Sequence, residues 1–152
     1  MIYALALAIG VIAGLRAMTA PAAVSWAAYC GSLPLDDTPL AFLASPWAVG
    51  ILSLLALAEL IGDKRASTPS RKVPMQFGAR LISGALAGAA IGVSADMLVP
   101  GLVAGILGAV IGTYLGAALR GAMARSFGGD LPAALIEDVV AVGGALLIVS
   151  QL

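Results

Sequence analysis

The last stretch of the chain, LPAALIEDVVAVGGALLIVSQL (residues 131–152), is an apolar run with two adjacent acids, Glu137 and Asp138, inside it. A helix needs about 20 apolar residues to cross the hydrocarbon core of a bilayer, so this run has the length of a span. Each charge inside such a segment costs roughly 2.5–3.5 kcal/mol on insertion scales. Because the chain keeps this pair, we expect the carboxylates to be paired with cations, used in function, or both.

The composition of the whole chain predicts an integral membrane protein. Of its 152 residues 61% are hydrophobic and only 11% are charged, and the mean hydropathy is +1.07. Soluble domains carry about 25% charged residues, so this chain has too few charges for a surface of normal polarity in water. The eight basic and eight acidic residues balance, which leaves no broad basic surface. We therefore expect the lipid bilayer as a partner, and no nucleic acid.

The residue types exclude several kinds of chemistry. The chain has no His and a single Cys, Cys30, which excludes an intrachain disulfide and a metal site built from His or Cys. A carboxylate site for a hard cation stays open. No nucleophile–base pair, Walker sequence or G-x-S-x-G motif is present. We predict no cofactor, no metal, no catalytic residue and no enzyme activity, with a carboxylate-based reaction on a lipid as the enzymatic alternative.

Five apolar segments predict an all-α, polytopic membrane protein with about five transmembrane helices in one domain, residues 1–152. The first segment, with about 28 residues, is too long for a simple perpendicular span, and it contains Arg16 and Pro21. It is either one tilted helix or a short helix followed by a span that begins near Gly14, and the sequence leaves both open. The segments are residues 2–29, 45–61, 77–95, 101–119 and 131–152.

The loops between these segments alternate in charge. Residues 62–76 and 120–130 hold six of the eight basic residues, whereas residues 31–44 and 96–100 contain acids and no Lys or Arg. By the positive-inside rule, the two basic loops face the cytoplasm. Five spans then place the N-terminus in the cytoplasm and the C-terminus outside.

Glycine recurs every four residues in the third and fourth segments, a spacing that puts small residues on one stripe of a helix. Such stripes let helix backbones approach closely in a membrane. We expect helix packing along both stripes, a tight hairpin of these two spans, and a leftover glycine face that could make a homo-oligomer contact. The residues are Gly84, Gly88, Gly92, Gly108, Gly112 and Gly116.

An internal repeat is suggested by the pattern G-x-R-x-x-[ST], which occurs at residues 14–19 and again at residues 78–83. Its extension gives two units, residues 14–65 and 78–120, with residues 131–152 as an extra helix. Each unit would consist of two helices, and the two units would have the same orientation. Chains rich in Ala, Gly and Leu also produce such matches by chance.

A group of charged residues falls in the cytoplasmic half of the predicted spans. Glu59 and Asp63 are four residues apart and share a helix face. Arg80 stands near the cytoplasmic start of the third span, and Glu137 and Asp138 stand about two turns inside the fifth. Adjacent helical residues point about 100° apart, so these two should face different neighbours. Arg16 joins the group if the first segment is broken.

Several short motifs of the chain, taken in their order along it, resemble those of a known family. The chain resembles a bacterial family of small integral membrane proteins known as domain of unknown function 4126. The resemblance implies a polytopic helical protein of the bacterial inner (cytoplasmic) membrane and no particular reaction. The motifs are Gly14-Leu15-Arg16 with Pro21, Glu59-Leu60-Ile61-Gly62-Asp63-Lys64 with Pro69, Arg71 and Pro74, Arg80 with Ser83-Gly84-Ala85, and Leu135-Ile136-Glu137-Asp138 with Ala141.

These patterns predict a small transporter or channel for an ion or small polar solute. Arg16 and Arg80 would bind an anionic group or hold the carboxylates, while the carboxylates would bind a cation or carry protons. The alternative is a non-catalytic scaffold or partner-binding subunit whose ion pairs only hold the helices together. A chain this short favours a homo-oligomer in the first case. The carboxylates are Glu59, Asp63, Glu137 and Asp138.

Overall fold

The computed structural model describes residues 1–63 and 73–152. The described residues fold into six α-helices and one short 3-10 turn. The basic residues between positions 64 and 72, on which part of the predicted orientation rests, lie outside this range. The helices are α1 (Ile2–Leu15), α2 (Thr19–Tyr29), α3 (Pro46–Gly62), α4 (Pro74–Val93), α5 (Leu98–Phe127) and α6 (Asp130–Val149), and the 3-10 turn is Ala41–Ala44.

The first apolar segment is two helices, which settles the alternative that the sequence leaves open. The helix break is residues 16–18, where Arg16 is extended with φ −138° and ψ 109°. Pro21 lies in the first turn of α2. Proline is tolerated there because the amides of a first turn have no partner within the helix. Pro21 therefore follows the break instead of kinking a continuous helix.

The helix directions follow from a few close contacts. Helices α4 and α5 form an antiparallel hairpin. Gly10 of α1 packs on Gly105 of α5, and Gly14 packs further along α5, so α1 runs parallel to α5. A Cβ on Gly144 of α6 would lie 2.9 Å from Cδ1 of Ile12, while Asp138 reaches Arg16, so α6 runs antiparallel to α1.

Helix α2 turns back beside α3. Its first residues meet Glu59 near the end of α3, and Trp26 Nε1 donates to Ser53 Oγ at 3.0 Å, so α2 and α3 are antiparallel. The start of α3 shares a groove with Leu86, which lies deeper in α4 than Arg80. Helices α1 and α2 thus form a V-shaped hairpin whose tip is the helix break. Helices α2 and α4 run in one direction, and α3 and α5 run in the other.

These directions give the bundle two ends. The basic end is where α3 and α5 finish and where α4 and α6 begin. The acidic end holds the turns at residues 30–45 and 94–97, both chain termini, and the open mouth of the V. Both chain termini lie at the same end of the bundle, because α2 turns back after the helix break. Leu33, Leu35 and Leu43 of the turn at residues 30–45 are buried in the same apolar core as residues of α1 and α2.

Helix lengths divide the structure into long and short elements. Within the described residues, α4, α5 and α6 are long and apolar enough to cross a bilayer. Helices α1 and α3 are apolar but have only 14 and 17 residues. Helix α5 has 30 residues and continues through Arg120, where the sequence predicts a loop. It ends at Phe127, because Gly128 follows with a left-handed φ of 70°.

Glycines lie where α5 meets α4 and α1. A Cβ on Gly105 would be 2.9 Å from the carbonyl carbon of Gly84 and 3.0 Å from Cα of Gly88. On the other side of α5, a Cβ on Gly108 would be 2.8 Å from the Val11 amide nitrogen. Real Cβ atoms do not occupy such positions, so a larger residue at any of these glycines forces the helices apart.

Substitution at this contact is expected to destabilise the bundle. Gly105→Val should lower the free energy of unfolding by about 1–3 kcal/mol through overpacking against α4. The matched control is Gly143→Val, because nothing lies within 4 Å of a Cβ at Gly143 in α6. Unfolding is measured in mixed detergent micelles through the loss of helix content. Equal losses in the two variants would contradict the close approach.

Candidate functional site

The helix break leaves backbone groups that need partners. The last carbonyls of a helix and the first amides of the next have no partner within their own helices. In a membrane each unsatisfied group costs several kcal/mol, because no water is present to bind it. Arg80 binds the end of α1, and its Nη1 donates to Gly14 O at 2.9 Å and to Leu15 O at 2.8 Å. A cation there also matches the negative pole of the α1 dipole.

Glu59 binds the start of α2. Its Oε1 accepts from the Ala17 amide and its Oε2 from the Met18 amide, each at 2.8 Å. The negative charge sits at the positive pole of the α2 dipole, where it is stabilised. Arg80 Nη2 lies 3.8 Å from Glu59 Oε1, so the two side chains also form an ion pair. One acid from α3 and one base from α4 therefore bind both open ends of the broken segment.

Arg16, inside the break itself, is fully buried with 0% of its surface exposed. Its Nε donates to Asp138 Oδ1 at 2.8 Å, and its Nη2 lies 2.6 Å from the same oxygen. Its Nη1 binds Asp63 of α3. A buried guanidinium is tolerated only when carboxylates neutralise it and accept its hydrogen bonds. Arg16 thus ties the tip of the V to α3 and α6 at once.

Arg120 also belongs to the site. The sequence analysis misses it because it assigns Arg120 to a loop. Its Nη1 lies 3.2 Å from Asp63 Oδ2 and 3.3 Å from Glu137 Oε2. Its Nε and Nη2 bind the carboxylate of Asp130 at 2.9 and 2.6 Å. The glycine stripe of α5 is the sequence feature that indicates Arg120. Arg120 comes four residues after Gly116, so it continues the stripe that faces the centre of the bundle.

The structure brings all six predicted site residues together at the basic-end side of the V. With Arg120 added they form what we call the charged cluster. Glu137 and Asp138 share one neighbour, although their 100° separation predicts that they face different ones. Both approach Arg16 Nη2, at 3.8 and 2.6 Å, and only Glu137 makes a described contact with Arg120. The cluster is Arg16, Glu59, Asp63, Arg80, Arg120, Glu137 and Asp138.

The charged cluster has a closed inner part and an outer part open to the basic end. Arg16 and Arg80 are 0% and 2% exposed, whereas the side chains of Asp63 and Arg120 are 16% and 14% exposed. In the described residues, no group of three or more His, Cys, Asp or Glu is placed to hold a metal ion. The carboxylates instead surround guanidinium groups. The arrangement suits a charged or hydrogen-bonding solute better than direct coordination of a metal.

Two other buried hydroxyl groups have local partners. Thr113 Oγ1 donates to Ala109 O at 2.7 Å within its own helix. Ser25 Oγ donates to Leu43 O at 2.6 Å and ties α2 to the 3-10 turn. Helical hydroxyls commonly bond backbone carbonyls in this way. We assign these two a structural role.

Comparison with known proteins gives a family but no characterised relative. No curated protein and no solved structure matches the chain significantly. The profile of the family described as Domain of unknown function (DUF4126) matches residues 3–151. The match covers the hairpin, the charged cluster and the last helix together, and the chain belongs to this family.

Proposed function

We propose that the protein is a small membrane transporter or channel for an ion or small polar solute, with its site at the helix break. The observation that carries this proposal is that side chains of opposite charge bind the two open ends of a broken helix. In transporters, broken helices line substrate sites, and their free amides and carbonyls contact the solute. Here Glu59 and Arg80 occupy those positions. No catalytic role is assigned to the carboxylates.

The carboxylate of Glu59 can be exchanged for a solute at the start of α2, because little of the helix that carries it is buried. In α3 only Val49 is buried. When Glu59 accepts a proton or moves away with α3, two backbone amides at the positive pole of α2 become available to a solute. Arg80 keeps the end of α1 satisfied meanwhile. The carboxylate thus acts as a gate that competes with the transported species.

Neutralising this gate should alter transport. In proteoliposomes, wild-type protein should move at least one species from a panel of protons, alkali cations, halides and small oxyanions. Glu59→Gln should change that flux by about tenfold or more, since a hydrogen bond from a charged partner contributes about 1.5–3 kcal/mol. Flux is followed by a pH-sensitive dye and ion-selective electrodes.

Asp36→Asn provides the matched control, because Asp36 is an exposed acid of the acidic end. It should leave the flux unchanged. Zero flux across the whole panel, or equal effects of the two substitutions, would refute the transport proposal.

We further propose an orientation in the cytoplasmic membrane of a bacterium. The basic end faces the cytoplasm, α3 to α6 cross the membrane, and the α1–α2 hairpin enters from outside. This supposes a membrane thin enough for the 17 residues of α3. Both termini then lie outside, and the cytoplasmic loops hold six of the eight basic residues. The glycine contacts of α5 would hold the spans together, and the exposed helix faces allow a homo-oligomer.

The single native cysteine tests this orientation. Cys30 is exposed at the end of α2, on the acidic end of the bundle. A membrane-impermeant maleimide should label Cys30 in intact cells. In a Cys30→Ser background, Ser126→Cys near the basic end should be labelled only after the cells are broken. The reverse labelling pattern would overturn the orientation.

A structural scaffold is the second candidate, favoured by Arg16. This side chain is fully buried and bound by carboxylates from two other helices, as in an ion pair that only joins helices. Removing one partner of a buried pair typically costs 3–5 kcal/mol, whereas replacing both partners by apolar residues is often neutral.

The two candidates differ in the response of Arg16 variants. Arg16→Gln should lower the free energy of unfolding by about 3–5 kcal/mol, and Arg16→Met with Asp138→Leu should recover most of it. If transport uses this cluster, the double variant folds without flux. Wild-type flux in the stable double variant would show that Arg16 and Asp138 only join helices.

A further inference from the structure

A groove opens sideways between α2, α3 and α6, on the side of the bundle away from the glycine contacts. Its volume is about 240 Å³, and it is lined mainly by small and aliphatic side chains. The lining includes Ala22 and Ala23 of α2, Leu57 of α3, and Val142 and Leu146 of α6. At roughly 30 Å³ for a group the size of a water molecule, this volume corresponds to about eight such groups.

One hydroxyl on the groove has no partner. Thr19 lines the groove at its basic-end side, is only 7% exposed, and its Oγ1 makes no hydrogen bond in the described structure. The cause is the helix break. A helical threonine normally donates to the carbonyl four residues earlier, but that carbonyl is Leu15 O at the end of α1, which accepts from Arg80. A buried unsatisfied hydroxyl costs about 1–3 kcal/mol, so a ligand that accepts its proton is favoured.

The depth of Thr19 identifies the kind of ligand. Thr113 of α5 is level with Gly14, and it lies 15 residues, or about 22 Å, from Leu98 at the acidic end. With Leu98 at one edge, a hydrocarbon core thin enough to be crossed by the 17 residues of α3, about 25 Å, ends roughly 3 Å beyond this level. Thr19 therefore lies near the boundary of the basic-end leaflet, where the ester carbonyls of lipids are found.

We propose that the groove binds one acyl chain of a phospholipid from the basic-end leaflet. The ester carbonyl accepts a hydrogen bond from Thr19 once its χ1 rotates the hydroxyl into the groove, a change between ordinary rotamers. The chain then runs along α2 towards Trp26, whose hydrogen bond to Ser53 lies at the far end. A helix from a second copy, about 10 Å wide, is the rival occupant that the test distinguishes. The inference rests on the membrane placement and not on transport.

The test uses the tryptophan in the groove as its probe. Trp47→Phe leaves Trp26 as the only tryptophan. Delipidated protein in detergent is titrated with brominated phosphatidylglycerol in ester-linked and ether-linked forms, and quenching gives the two affinities. One hydrogen bond of about 1 kcal/mol predicts that the ester form binds about fivefold more tightly. Thr19→Val, which keeps the shape but removes the hydroxyl, should abolish this preference.

A second pair of variants tests the groove itself. Ala56→Phe adds a ring to the groove lining of α3, whereas Ala58→Phe adds the same ring at an exposed position of that helix. The lipid affinity obtained from quenching should fall at least fivefold in Ala56→Phe and stay unchanged in Ala58→Phe. Equal affinities of the two lipids in wild type, a preference kept in Thr19→Val, or a dimer that excludes the lipid would each overturn the proposal. If the lipid binds but no flux is measured, the transport proposal is refuted and the lipid proposal stands.

Discussion

The structure depends on one constraint, which is that a broken backbone in a membrane must find its partners inside the protein. The break at residues 16–18 leaves two carbonyls and two amides without partners in their own helices. Arg80 and Glu59 bind them with charges that also match the dipoles of α1 and α2. The positions of α3 and α4 around the tip of the V follow from this requirement.

The charged cluster performs two tasks at different depths. Its inner arginines hold the tip of the V in place. Its outer members, Asp63 and Arg120, face the basic end and are partly exposed. The side chain of Glu59 is exposed to a similar extent, 17%, so the carboxylate that binds the start of α2 belongs to this outer part as well.

Much of the site was predictable, and the exceptions have physical reasons. Charges inside apolar segments pointed to five of the six predicted members, because only mutual pairing offsets their cost in lipid. Asp63 was added because it lies four residues after Glu59 on the same helix face. Arg120 was missed because the apolar run stops at Leu119, whereas the helix continues to Phe127. A break in the first segment was one of two options left open, but that option continued as a span. The return of α2 as a hairpin was not predicted, since a 28-residue apolar stretch has the same composition whether it crosses or turns back. Tertiary contacts from distant helices decide that choice.

The hairpin also has a consequence for biosynthesis. Arg16 leaves the ribosome early, yet its partner Asp138 follows 122 residues later, in the last helix. At about 5–20 residues per second, the arginine waits roughly 6–24 s for that carboxylate. During this interval Asp63, 47 residues after Arg16, is the earlier of its carboxylate partners to be made. The full set of ion pairs around Arg16 therefore forms only after the last helix has been synthesised.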